Sequence, residues 1–177
     1  KKFIIGNVAR YDPKKDHSNL LNALSILRNK KIEFFCILAG KNIDRNNLKL
    51  IKEINVFELT KYIKLLGQND NILGVMNGID VYVQSSSFGE GFPNVVAEAM
   101  ACKTPCIVTD VGDASLLVGN TGWVVPPSDP INMANALEKS FYEIDSIKWN
   151  QRCIKARSKI SNKFDISVMI KNYNKVW

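Results

Sequence analysis

Along this chain, short apolar blocks alternate with longer stretches whose apolar residues recur at three- and four-residue spacing. The blocks FIIGNV at 3–8, EFFCILA at 33–39, IKLL at 63–66, VYVQ at 81–84, PCIVT at 105–109 and WVV at 123–125 are rich in β-branched and aromatic residues. Too short for buried helices, they predict strands. The stretches over 18–29, 46–55, 71–76, 94–101, 130–142, 147–160 and 166–173 predict helices, with Asp16 or Ser18 placed to cap the first. Such alternation argues for an α/β fold, a parallel sheet covered by helices on both faces. Ligands of these sheets sit at the carboxyl ends of the strands, where Arg10, Gly40, Gly67 and Glu90 are predicted to converge. No internal repeat, low-complexity tract or Pro/Gly linker divides residues 1–177, which are expected to form a single domain.

One stretch carries candidate chemistry. SSSFGEGFPNVVAEAMACKTP, at 85–105, follows the fourth predicted strand with a loop, a proline and then good helix formers. Pro93 suits a first helical turn, where its missing N–H is no loss, so a helix is expected to begin near Phe92 or Pro93. The free amides around Asn94 and Val95, with the positive end of the helix dipole, would favour a phosphate at the mouth of that loop. Gly89 and Gly91 keep side chains out of the way. Glu90 precedes the helix and Glu98 lies eight positions on, so the two carboxylates could grip hydroxyls on either side of a diphosphate. An isolated pair of glutamates would instead read as a solvated loop residue and a surface helix residue; the residues around this pair favour the site.

This stretch resembles the nucleotide-sugar signature of the family 4 retaining glycosyltransferases, whose GT-B fold sets two Rossmann-like domains face to face. FIIGNVARYDPKKDHSNLLNAL at 3–24, then FFCILAG, TKYIKLLGQ and GNTGWVVPPSDPINMANAL, also follow family order. The resemblance implies a Rossmann-like doubly wound sheet forming the donor-binding carboxyl-terminal half of a GT-B enzyme, with an amino-terminal acceptor domain outside this chain. It implies that Arg10 and Lys15 neutralise the donor diphosphate and that Glu90 touches the donor sugar. Glu98 would hold the ribose hydroxyls, and the backbone of Gly91, Phe92, Pro93, Asn94 and Val95 would meet sugar and phosphate. Leu66 and Gly67 would lie near the base. Some positions depart from the family: Ala9 and Asp16 replace glycines beside the Arg and the Lys, Asn42 replaces another, and Leu117 stands near where many members carry a glutamate. Lys14 is a second candidate for the phosphate-binding lysine. The implied catalytic histidine belongs to the missing domain, and His17 is not expected to replace it.

Charge and composition narrow the partners. The formal net charge is +7, and 151–177 carries seven Lys or Arg against one acid, Asp165. RCIKARSKI within it reads as a solvated amphipathic helix, with contact to an anionic membrane surface as the alternative. No RNA-recognition, zinc-finger or helix-turn-helix pattern is present, so nucleic acid is not an expected partner. No run approaches the ~20 apolar residues of a membrane helix, and no secretory signal opens the sequence. The expected location is cytoplasmic, with peripheral attachment at the inner face of the membrane as the alternative. Cys36, Cys102, Cys106 and Cys153 are expected to be reduced structural thiols. With no Asp-x-Asp triplet, the expected donor is a UDP- or GDP-sugar handled without metal or cofactor.

The expectation is a retaining hexosyltransferase acting on a glycan or lipid-linked acceptor, in bacterial surface-polysaccharide synthesis, inactive or nearly so as this domain alone. The alternatives are half of a nucleotide-sugar epimerase and a non-catalytic Rossmann-like binding module. Dinucleotide binding is disfavoured because no Gly-x-Gly-x-x-Gly follows the first strand.

Overall fold

A computed structural model describes residues 2–175. Lys1 and the Val176–Trp177 end of the basic segment lie outside the described residues. Six parallel strands form one sheet in the order β3-β2-β1-β4-β5-β6. They are β1 (Phe3–Val8), β2 (Phe34–Ala39), β3 (Ile63–Leu65), β4 (Val81–Gln84), β5 (Cys106–Thr109) and β6 (Trp123–Val125). The helices are α1 (His17–Asn29), α2 (Leu48–Val56), α3 (Ile72–Asn77), α4 (Asn94–Ala101), α5 (Ala114–Val118), α6 (Pro130–Glu143), α7 (Ile147–Lys163) and α8 (Ile166–Tyr173). The expected doubly wound α/β fold is what forms.

Strand pleating sorts the core into two layers, since alternate side chains point to opposite faces. Phe3 and Ile5 of β1, Phe34, Cys36 and Leu38 of β2, and Val81 and Val83 of β4 meet the apolar faces of α1, α2 and α6. Val8, Ala39, Tyr82, Cys106 and Val108 point the other way, against α3, α4, α5 and Ala156 of α7. The basic α7 is thus an amphipathic helix, docked through Ala156 with Ile154, Lys155, Arg157 and Ser158 exposed. Its Arg152 donates to both carboxylate oxygens of Glu143 at 2.6 and 3.1 Å and lies 4.1 Å over the Trp123 ring. Among the described residues no helix is long and apolar enough to cross a membrane.

Differences from the sequence reading are local. Pro93 is not in the first helical turn: at φ −81° and ψ 90° it is the N-cap, and α4 starts at Asn94. Pro13–Lys15 forms a short 3-10 turn and Ala114–Val118 a helix, neither of which was anticipated. Both are too short to display a helical apolar period, so the sequence pattern could not show them. Asn42 stands at φ 62°, a left-handed conformation that Asn tolerates, which explains how it replaces a glycine. Leu117 is fully buried in the α5 layer.

The chain runs outward from β1 through β2 to β3 and then returns to β4 on the other side of β1. The reversal leaves a crevice between the carboxyl ends of β1 and β4, where open α/β sheets bind ligands.

Candidate nucleotide-sugar cleft

A cleft of about 220 Å³ opens at that reversal. Asn7, Val8 and Ala9 at the end of β1 form one wall, and Tyr82, Gln84, Ser85 and Ser86 at the end of β4 another. Lys15, Glu90 and the Phe92–Val96 start of α4 close it. Of the predicted site residues, Lys15, Glu90, Phe92, Pro93, Asn94 and Val95 are brought together here.

Lys15 Nζ donates to Glu90 Oε1, which also accepts from Ser86 Oγ at 2.6 Å. Desolvation raises the Glu90 pKa, but the hydrogen bonds from Lys15 and Ser86 outweigh it and hold the carboxyl below its ordinary value. Glu90 is therefore an anion at neutral pH, with its side chain only 10% exposed. Three further contacts fix these two residues. Ser85 Oγ donates to the Lys15 carbonyl at 2.7 Å, Ser87 N–H to the Lys14 carbonyl at 2.8 Å, and Thr109 Oγ1 to the Ser86 carbonyl at 2.5 Å. Gly112 supports the loop from below: at φ +58°, a Cβ on it would lie 2.4 Å from the Glu90 carbonyl oxygen. Beside it, Asp113 N–H donates to Gly91 O at 3.1 Å. Only glycine allows so close an approach.

The start of α4 differs from most of its neighbours. Side chains of Asp16, Asn47, Asn71, Asp129 and Ser146 cap α1, α2, α3, α6 and α7, each accepting from a first-turn amide. Pro93 gives α4 no side-chain cap. Val96 and Ala97 N–H reach the Pro93 carbonyl, so the Asn94 and Val95 amides precede the first intrahelical bond, and both residues line the cleft. Lys15 lines the same cleft with its charge matched by Glu90, so the free amides are what this end of the cleft offers an anion. Asp16 is spent on its cap and accepts from Ser128 Oγ at 3.1 Å, so it does not compete for Lys15. Lys14 lies behind Gly89, its Cδ 3.5 Å from where a Cβ would stand there. The geometry thus favours Lys15 over Lys14 as the cation in the cleft.

The remaining predicted residues lie around it. Arg10 is not on the cleft wall; its half-exposed side chain pairs through Nε with Asp12 Oδ2 at 3.1 Å. Glu98 is exposed, one turn into α4, and lies outside the wall. It nonetheless acts on the same buried phenol as Glu90: burial raises the Tyr82 pKa first, then Cys106, then Glu90 and Glu98. Gly91 is exposed, with open space where its Cβ would be. Leu66 and Gly67 follow β3, where Gly40 N–H donates to Gly67 O at 2.7 Å and Gly67 N–H to Ile43 O at 2.9 Å. Gly40 must be glycine, because at φ +145° a Cβ would lie 2.2 Å from the Ala9 carbonyl oxygen. The predicted convergence at the strand ends therefore has two parts. Lys15 and Glu90 form the cleft, while Gly40 and Gly67 form a ledge joined to it through the backbone next to Arg10.

His17 is 3% exposed, its ring centroid 5.4 Å from that of Tyr11, and neither ring nitrogen has a partner. Burial and then Lys15 depress its pKa to about 4, so it is a neutral core residue. Buried polar residues at the ends of apolar strands, Asn7 and Gln84, and the hydroxyl of Ser86 had no assigned part in the sequence reading. Their signal is a polar letter inside FIIGNV, one closing VYVQ and the serine run that follows it. The four cysteines are free thiols, and among the described residues no group of three or more His, Cys, Asp or Glu is placed to hold a metal ion.

Comparison with known proteins agrees with this architecture. The family description "Glycosyl transferases group 1" matches residues 2–141. The phosphatidyl-myo-inositol mannosyltransferase of Mycobacterium leprae is 30% identical over 176 residues, covering 96% of this chain and 45% of its own length. A glycosyltransferase from Rickettsia africae shares the fold at a TM-score of 0.91 and 23% identity, covering 99% of this chain and 47% of that one. The Anabaena HepE protein in complex with UDP has a TM-score of 0.87 at 23% identity, covering 99% of this chain and 48% of that one. This chain thus spans less than half the length of each. It belongs to the group 1 glycosyl transferases.

Proposed function

We propose that this chain is the donor-binding half of a retaining glycosyltransferase that passes a hexose from a nucleoside diphosphate to a glycan or lipid-linked acceptor, in bacterial surface-polysaccharide synthesis. The observation that carries this reading is the Lys15–Glu90–Ser86 cluster sharing one cleft with the start of α4, which has no side-chain cap. Breaking a sugar–phosphate bond builds negative charge on the leaving diphosphate and oxocarbenium character on the sugar. Fixed cations and dipoles at the leaving group lower that barrier. Lys15 and the α4 amides supply them, and Arg10 joins when its exposed side chain swings from Asp12. Glu90 then accepts from sugar hydroxyls, and Glu98, one turn down the helix, from the ribose. Charge supplied in this way makes the reaction independent of metal. The sugar leaves and is attacked on the same face, because no nucleophile for a covalent intermediate stands out in this sequence. The HepE complex with UDP and the lipid in the M. leprae relative's name, phosphatidyl-myo-inositol, support a UDP-sugar and a lipid-linked acceptor. The acceptor site and catalytic histidine belong to the preceding half of a longer protein, so this chain alone binds donor and turns over little or nothing.

A thermal-shift series with UDP, UDP-glucose, UDP-galactose, GDP and GDP-mannose tests the reading. A ligand at a hundred times its Kd adds ~2.7 kcal/mol to stability, raising Tm by roughly 5–10 °C in a domain of this size. Glu98→Ala is expected to weaken binding of the bare nucleotide, whereas Glu90→Ala mainly removes the preference for sugar nucleotide over nucleotide. Absence of saturable binding to every member of the series overturns the reading.

A further inference from the structure

Gln84 is the last residue of β4 and only 5% exposed, yet its Oε1 is buried without a hydrogen-bond partner. The β4 pleat puts it on the same face as Tyr82, the face covered by α4, and it lines the cleft together with Val8, Lys15, Ser86, Glu90 and Val96. Buried polar atoms are normally satisfied, so an orphaned one on a residue that lines a cleft calls for an explanation, and a ligand is one. Apolar residues precede it in its strand, and the sheet would be served equally well by another there.

We infer that Gln84 is a specificity-determining residue that reads a hydroxyl of the donor sugar from the floor of the cleft. The chemistry selects that part of the donor. The diphosphate is matched by charge, from Lys15 and the α4 amides, whereas a carboxamide carries no net charge and offers one acceptor and two donors. Its natural partner is a group that both donates and accepts, and the donor presents such groups as sugar hydroxyls. Gln84 also stands two residues before Ser86, whose hydroxyl holds the Glu90 carboxylate, so the two acceptors approach the sugar from the floor and the rim. A site built to bond a hydroxyl rejects an analogue lacking it far more strongly than an apolar pocket can. Gln84 would therefore separate hexoses that differ at one hydroxyl.

The inference rests on the nucleotide-sugar reading, and the experiment separates the two. Calorimetric Kd values would be measured for UDP, UDP-glucose, UDP-galactose and UDP-N-acetylglucosamine with the wild-type chain, Gln84→Met and Gln84→Asn. Gln84→Met keeps length and removes the amide; it should hold or raise Tm, since it also removes the orphaned acceptor. It is expected to bind UDP within about twofold of wild type while losing roughly fivefold or more in affinity for the preferred UDP-sugar, and with it the discrimination among the three sugars. Gln84→Asn, which retracts the amide by one methylene, should lose part of that discrimination. Unchanged discrimination in Gln84→Met, or an equal loss for UDP and UDP-sugars, overturns the inference while leaving the nucleotide-sugar reading intact. If the wild-type chain binds none of the four, and neither GDP nor GDP-mannose, that reading fails and this one falls with it.

Discussion

Lys15 and Glu90 are 75 positions apart in the chain yet form one ion pair, which leaves each partner pre-oriented before a ligand arrives. His17, two residues after Lys15, has the opposite character: buried, neutral and unbonded. Its depressed pKa fixes the sign of a pH effect. Between an ordinary value of ~6.5 and its folded value of about 4, the unfolded chain takes up a proton that the folded chain excludes. Its contribution to stability is complete above pH ~6.5 and is lost as pH falls toward 4, with a slope of at most ~1.4 kcal/mol per pH unit. Urea titrations at pH 7, 6 and 5 are expected to show this decline in wild type and a flatter course in His17→Phe, which retains a ring against Tyr11. An equal slope in both would show that His17 does not titrate as described. Of these residues, the acid was legible from the loop and helix around it, and the lysine only through the family resemblance of its segment. The burial of His17 was not, because its neighbours in sequence are polar and its cover comes from the Tyr11 ring and the packing around α1.

Strands and long helices follow from periodicity, and their predicted limits agree with those observed to within a few residues, since most bury an apolar face. The loops that shape the cleft follow different physics. The β4–α4 loop is held by backbone and hydroxyl contacts from the 3-10 turn after β1 and from the β5–α5 loop, segments remote in sequence. Gly112 tests this support. Gly112→Ala places a Cβ against the Glu90 carbonyl and forces an unfavourable φ, so a loss of ~1–3 kcal/mol is expected, together with weaker UDP binding as Glu90 shifts. Gly91→Ala, one residue from Glu90 but with no atom within 4 Å of the new Cβ, should change stability by less than ~0.5 kcal/mol. Denaturation midpoints for the pair, with a UDP titration of Gly112→Ala, check the contrast. Comparable stability in the two variants would mean that Gly112 does not brace the loop.

Across the whole molecule, a net charge of +7 gives the protein a field that attracts anions. Not every cation is free to contribute: Arg152 is bound to Glu143 and Trp123, Lys30 to Glu138 and Arg28 to Glu58. Lys15 and the α4 amides act on a nucleoside diphosphate at short range, while the general field acts at long range and is screened. Raising salt from ~0.05 to ~0.5 M, where the Debye length drops from over 10 Å to a few Å, should weaken UDP binding severalfold. The unliganded Tm should move far less. UDP affinity independent of salt would argue against a charge-matched diphosphate site.

The amino-acid sequence alone determined which segments become strands and helices, the order in which they alternate and the family signature in the β4–α4 stretch, because periodicity, capping and short motifs act over a few residues. Folding in three dimensions decided what stands opposite what. Parallel pairing with a reversal at β1 brought Lys15 to Glu90, left Arg10 and Glu98 at the margin and closed the cleft over Gln84. Those relations depend on strand order and loop support across long stretches of chain, and no local pattern of letters encodes them.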